Sequence, residues 1–155
     1  MSERVNYEKQ AHKHFSNGFN CAQAVIKSLC PVSGLEDGEV EALTAGFGGG
    51  MGGHQEICGA ASGTCMAISY AVFKLYDDPT EGKNEAKLAV QEFMFRFKDT
   101  FEYVRCADLT GYCFFDEAER EAFTESGVKN KICMPAVEFA VELASEMIEE
   151  ARNKQ

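Results

Sequence analysis

The sequence predicts an all-α protein, a compact helical bundle forming a single domain over residues 1–155. Three observations carry that expectation. Apolar residues recur at spacings of three and four, helix-starting residues stand before those runs, and no alternation of period two is long enough for a strand. A chain of 155 residues can bury one continuous core without metal or disulfide scaffolding. The fold is therefore expected to survive loss of any metal or thiol site.

Taken in order, Ser2 is placed to cap a first helix with Val5, Ala11 and Phe15 inward, and Gly18 gives it a left-handed exit. Asn20 opens a second helix. Gln23 completes a capping box, Phe19 is placed to staple onto Ala24, and Cys21 takes the first helical position. A short third helix runs from Glu36 to Ala45, ahead of the glycine-rich loop 46–53. A fourth, beginning near Ile57 and reaching Tyr76, is apolar or small on nearly every side and should pass through the middle of the domain. Its Gly59 and Gly63, one turn apart, open a groove for a neighbouring backbone.

Asp78, Pro79 and Glu81 supply the cap, first-turn proline and early carboxylate of a long helix. Its buried stripe is Ala86, Val90, Phe93, Met94, Phe97 and Phe101. Asp116 with Glu119 opens another helix that Gly127 closes. Pro135 starts the last, with Ala136, Val137, Ala140, Leu143, Ala144, Met147, Ile148 and Ala151 inward. The glutamates between them (Glu138, Glu142, Glu146, Glu149, Glu150) form a solvated outer face.

Charge narrows the function. A net charge of -10 repels phosphate backbones and anionic lipid, so neither nucleic acid nor membrane is an expected partner. The first residues lack the basic and apolar regions of a signal peptide and no apolar run reaches spanning length, which suggests the cytoplasm. Seven cysteines are many for that compartment, where structural disulfides are rare. Cysteine is also a common small buried hydrophobe, which suffices for any one of them alone.

Their positions say more. Cys21 and Cys58 fall in the first turn of expected helices, and Cys133 falls just ahead of one. A helix N-terminus offers unpaired N–H groups and partial positive charge, which favour thiolate over thiol. Cys58 and Cys21 are thus the candidate catalytic thiols. Cys58, beside the glycine loop and His54, is expected to be the most reactive. Cys58 and Cys65 cannot pair, because seven residues of one helix separate them by about 10 Å. Pairing or shared ligation must use cysteines that the fold brings together.

Close cysteine pairs of the zinc-ribbon or ferredoxin kind are absent, as is a haem-attachment run. The stretch 48–53 fits a G-x-G-x-x-G pattern but follows a helix and not a strand. It reads as a close backbone crossing that positions Cys58, not as a dinucleotide site. His54 could act as a base for Cys58, though a solvated loop histidine is the simpler reading. His12 and His14 point to different helix faces and make no metal pair.

With Asn20-Cys21-Ala22-Gln23-Ala24-Val25, the loop 46–53, Cys58-Gly59-Ala60-Ala61-Ser62-Gly63, Arg105-Cys106-Ala107-Asp108-Leu109-Thr110-Gly111 and Cys133, the chain resembles the C_GCAxxG_C_C family. That family has one upstream cysteine, a Cys-Gly-Ala-x-x-Gly motif and two further cysteines. The resemblance implies a four-cysteine site of Cys21, Cys58, Cys106 and Cys133, and leaves Cys30, Cys65 and Cys113 outside it. A cluster-binding region of split-Soret cytochromes looks similar, which implies that four such cysteines can hold an iron–sulfur cluster.

The expected function is therefore redox activity at Cys21, Cys58, Cys106 and Cys133, as cofactor and metal ligands of an iron–sulfur electron-transfer centre or as a dithiol/disulfide pair. The alternative is a non-catalytic metal-binding or partner-binding helical module. The expected partner is a protein that exchanges electrons or thiols, and a homodimer is an allowed assembly.

Overall fold

A computed structural model describes residues 5–155, and these form eight α-helices with no strand. They are α1 (Tyr7–Ser16), α2 (Cys21–Ser33), α3 (Asp37–Thr44), α4 (Gly59–Phe73), α5 (Pro79–Phe101), α6 (Cys106–Thr110), α7 (Glu117–Ser126) and α8 (Met134–Asn153). A 3-10 turn, Ala45–Phe47, follows α3, and a π-helical turn, Lys129–Cys133, runs directly into α8.

α4 is the axis of the molecule. It packs against α2, α5 and α8 together, and α1 closes the far side against α2 and α8. Small residues allow this: Gly59, Ala60, Ala61, Gly63, Thr64, Ala67, Ile68, Ala71 and Val72 are all buried. Gly63 marks a close backbone crossing, since a Cβ built there would stand 2.6 Å from the Ala22 carbonyl oxygen. The expected groove for a neighbouring backbone is therefore filled by α2. The core is completed by Val25, Ile26 and Leu29 of α2, Phe93 and Phe97 of α5, and Val137, Ala140, Val141, Ala144 and Ile148 of α8.

Local chemistry fixes most helix ends. Asn20 and Gln23 form the reciprocal capping box at α2, Asp78 accepts from the Thr80 amide, Asp116 accepts from the Glu119 amide, and Gly127 closes α7 in the left-handed conformation. The first helix departs from expectation. Its proposed cap, Ser2, lies outside the described residues; the cap observed is Asn6, which accepts from the Lys9 amide. Val5 is exposed at 43%, and Tyr7 takes the inward place beside Ala11 and Phe15. α4 starts at Gly59 and not Ile57, because Ile57 pairs with Arg105 in an isolated antiparallel β-bridge.

α3 is clamped to α2 by Lys27. This lysine is 8% exposed and donates to Asp37 Oδ2 (3.0 Å) and Glu41 Oε2 (2.8 Å), with its ammonium 4.8 Å over the Phe19 ring. Burial works against its charge, but the hydrogen bonds to Glu41 and Asp37 outweigh that and raise its pKa. Both acids are half exposed and would rehydrate if the lysine left. Lys27→Met, which keeps the packed stem, should therefore cost only about 1 kcal/mol in urea unfolding. A loss several times larger would mean that Asp37 and Glu41 are buried in solution.

Candidate functional site

Two cysteines meet across the β-bridge. The Cys58 amide donates to the Val104 carbonyl (2.8 Å) and the Cys106 amide donates to the Glu56 carbonyl (2.8 Å), so the residues flanking Ile57 and Arg105 bring Cys58 and Cys106 to one place. Cys58 caps α4, and its carbonyl accepts the Ala61 and Ser62 amides, each at 2.9 Å. Cys106 opens the short helix α6.

Cys21, at the first position of α2, comes down onto the start of α4. A Cβ on Gly59 would lie 2.4 Å from the Cys21 sulfur, so only glycine leaves that sulfur its place beside Cys58. Cys133 arrives from the π-helical turn, which packs against α6. Electrostatics records the gathering. Cys58 feels Cys21 and Cys106, Cys106 feels Cys21, and Cys133 feels both Cys21 and Cys106.

The other three cysteines stand apart. Cys30 is buried near Lys27 and Asp37, Cys65 lines a shallow groove with Met66, Tyr70 and Phe73, and Cys113 is exposed in the loop before α7. His54 packs edge-to-face on Phe115, with centroids 5.2 Å apart, and among the described residues makes no hydrogen bond to Cys58. The imidazole therefore stands as a loop histidine stacked on a phenyl ring.

Burial dominates the thiols of the site. It pushes Cys58 up to about 12, with the Cys21 sulfur adding to the shift. The Ala60 and Ala61 amides face the Cys58 sulfur and pull the other way, without completing a cap bond. Burial likewise lifts Cys106 to about 11, against the Gln55 side chain, and Cys133 to about 12, against Lys129. Burial thus weighs against the expectation that Cys58 is the most reactive free thiol. The helix end supplies two loose amides, whereas removal from water acts on the whole charge. The helix-end argument for Cys133 also fails, because its backbone is helical and continues from the preceding turn into α8.

The glycine loop serves Cys106 more directly than Cys58. Residues 49–53 all have positive φ, Met51 included at 71°, which makes a left-handed turn that side chains disfavour. Gly50 needs both its φ of 66° and its missing side chain, since a Cβ there would stand 2.7 Å from the Glu56 nitrogen and 2.8 Å from Cys106 Cβ. Sequence reasoning missed Gln55, which leaves this loop, is 4% exposed and ties its side chain to Thr110, Tyr112 and Phe114 around the end of α6. A lone glutamine after a histidine carries no spacing signal.

The donor set is four soft sulfurs, and Lys129 lowers the thiol of Cys133 against the effect of burial. Thiolates here would need a cationic group to compensate their burial, and soft sulfur suits iron or zinc. Among the described residues no three His, Cys, Asp or Glu side chains stand close enough to share one ion as placed. A single tetrahedral ion with metal–sulfur bonds of about 2.3 Å needs sulfurs about 3.8 Å apart. A core of several irons spans more.

No helix among the described residues is long and apolar enough to cross a membrane. A family model described as "Putative redox-active protein (C_GCAxxG_C_C)" matches residues 19–147, a span that contains all four gathered cysteines. No curated protein and no solved structure matches the chain.

Proposed function

The chain belongs to the C_GCAxxG_C_C family, and from the redox activity in that family's description we propose that it is an electron-transfer protein whose Cys21, Cys58, Cys106 and Cys133 hold an iron–sulfur centre. The observation that carries the reading is selective gathering. Cys58 and Cys133 each feel both Cys21 and Cys106, Cys106 feels Cys21, and none of Cys58, Cys106 and Cys133 feels Cys30, Cys65 or Cys113.

When bound, such a centre would accept one electron from a reduced protein and pass it to an oxidised one, with no bond made to substrate. The chain's residues would supply four thiolates, exclude water by the burial of Cys58 and Cys106, and offer amides of α4 to the Cys58 sulfur. The dithiol form is less well supported. Exchange needs a thiolate that attacks, and burial raises the thiols of Cys58, Cys106 and Cys133 alike.

The test is anaerobic reconstitution of the metal-free protein with ferrous iron and sulfide, followed by absorption spectroscopy and iron analysis. Serine at any one of Cys21, Cys58, Cys106 or Cys133 should remove most of the visible absorption. Alanine at Cys30, Cys65 and Cys113 together should leave it intact. A colourless, iron-free wild type sinks the centre. A bridge from Cys58 to Cys21, Cys106 or Cys133 in the oxidised protein would then favour the dithiol.

A further inference from the structure

We infer that the groove between α4 and α5 is a docking site for an amphipathic helix of a partner protein, one whose apolar stripe is flanked by carboxylates. This docking is independent of what the four cysteines hold.

Two adjoining hollows, of about 640 and 550 Å³, share Ser69, Phe73 and Val90 and so form one open groove. Its apolar walls are Met66, Tyr70 and Phe73 of α4 and Ala86 and Val90 of α5. Phe73 is 39% exposed and Tyr70 37%, which leaves contiguous apolar surface facing water. Gly82 leaves the Phe73 ring its place, since a Cβ there would stand 3.0 Å from the Phe73 carbonyl oxygen and 3.2 Å from the ring.

Charge says what fits. The chain has 25 Asp and Glu against 15 Lys and Arg, yet among the described residues no carboxylate lines this groove. Lys83 and Lys87 line it instead, exposed and one turn apart on α5, and the Lys74 ammonium stands 5.5 Å over the Tyr70 ring. Among the described residues none of these three lysines makes an ion pair. Apolar walls beside unpaired cations are complementary to an apolar stripe beside carboxylates.

Shape selects a helix. From Cys65 to Phe73 the groove follows α4 for about 12 Å, and helix anchors at i, i+3 or i+4, and i+7 span about 10.5 Å. An extended peptide would find no free backbone to pair with, because α4 and α5 satisfy their own amides and carbonyls, whereas a helix brings its own bonds. A free fatty acid would be covered on one side only, unlike ligands in enclosed small-molecule sites. A second copy fits poorly. It carries the same charge of -10, and its acidic helix α7 has one large apolar residue, Phe123, already packed on Tyr112 and Phe114.

The probe is a synthetic helical peptide of roughly 18 residues, with leucines at three such anchors, one tryptophan beside them and glutamates along both flanks. A companion peptide carries lysines in place of the glutamates. The chain has no Trp, so the emission of the probe reports its own burial. The overall charge of -10 favours the lysine peptide, so a preference for glutamate can come only from a local basic site. The glutamate peptide should shift its emission to the blue and bind at least about tenfold tighter than its companion. Lys83→Glu with Lys87→Glu should weaken it about tenfold, as should about 0.5 M salt, and Phe73→Ser should weaken it while leaving the salt dependence. Should Phe73→Ser not fold, the exposed lysine pair carries the test. No blue shift, equal binding of both peptides, or binding indifferent to the lysine pair overturns the inference. So does a peptide displaced by dodecanoate at a concentration below its own, the mark of an amphiphile site, or a sedimenting dimer that Phe73→Ser splits, the mark of a second copy.

Discussion

Gly63→Ala should weaken the fold by at least about 2 kcal/mol. Its new Cβ would stand 2.6 Å from the Ala22 carbonyl oxygen and 2.8 Å from Val25 Cγ2, and a backbone oxygen inside a helix cannot swing aside. α2 must move off α4, at an overpacking cost of about 3 kcal/mol or more. Against that stands about 1 kcal/mol gained by replacing glycine inside a helix. Gly59→Ala should behave differently. There the closest atom is the Cys21 sulfur, which can rotate away, so stability should fall less and iron uptake should fall more. Urea melts and iron stoichiometry of the two variants separate the effects. A Gly63→Ala protein as stable as wild type would show that α2 and α4 do not cross this closely.

What could be read in the sequence was local. The capping box of Asn20 and Gln23, the cap and closure of α7 by Asp116 and Gly127, and the stripe from Ala86 to Phe101 each depend on residues within a few positions of one another. The close crossing at Gly59 and Gly63 was legible too, because two small residues one turn apart have few other uses. Pieces made by distant contacts were not legible. α6 has five residues and shows no periodicity, and it is held by a bridge between Ile57 and Arg105 that neither segment announces. The π-helical turn lengthens α8 backward past Pro135, which removes the free helix end expected at Cys133.

The candidate site divides in the same way. The family pattern pointed to four cysteines, but no local feature shows that Cys21 rests on Gly59 or that Gly50 backs onto Cys106. The burial that opposes the reactivity expected of Cys58 was hidden for a related reason. Position in a helix can be read from neighbouring residues, whereas burial is decided by α2 and the 104–106 segment folding over it.

That burial makes the metal-free protein sensitive to alkali. Cys58, Cys65 and Cys133 are pushed by burial from an ordinary 9.0 up to about 12, and Cys30 and Cys106 up to about 11. Between those values the folded chain keeps protons that the unfolded chain has released, so stability is intact below about pH 9 and falls as pH rises. Each such thiol removes about 1.4 kcal/mol per pH unit, and two of them over two units remove about 5 kcal/mol, which rivals the whole stability of many domains. Lys27 acts in the same direction at higher pH, since its raised pKa makes the fold lose support only once the lysine discharges. Urea midpoints at pH 7, 9 and 10.5 should therefore drop steeply in the wild type. The slope should be shallower with alanine at Cys21, Cys58, Cys106 and Cys133, a variant expected to remain helical because its core lies in the apolar stripes. Loading with iron should also flatten it, because ligated thiolates have already given up their protons. A midpoint unchanged between pH 9 and 10.5 in the metal-free protein would mean that these thiols are solvated.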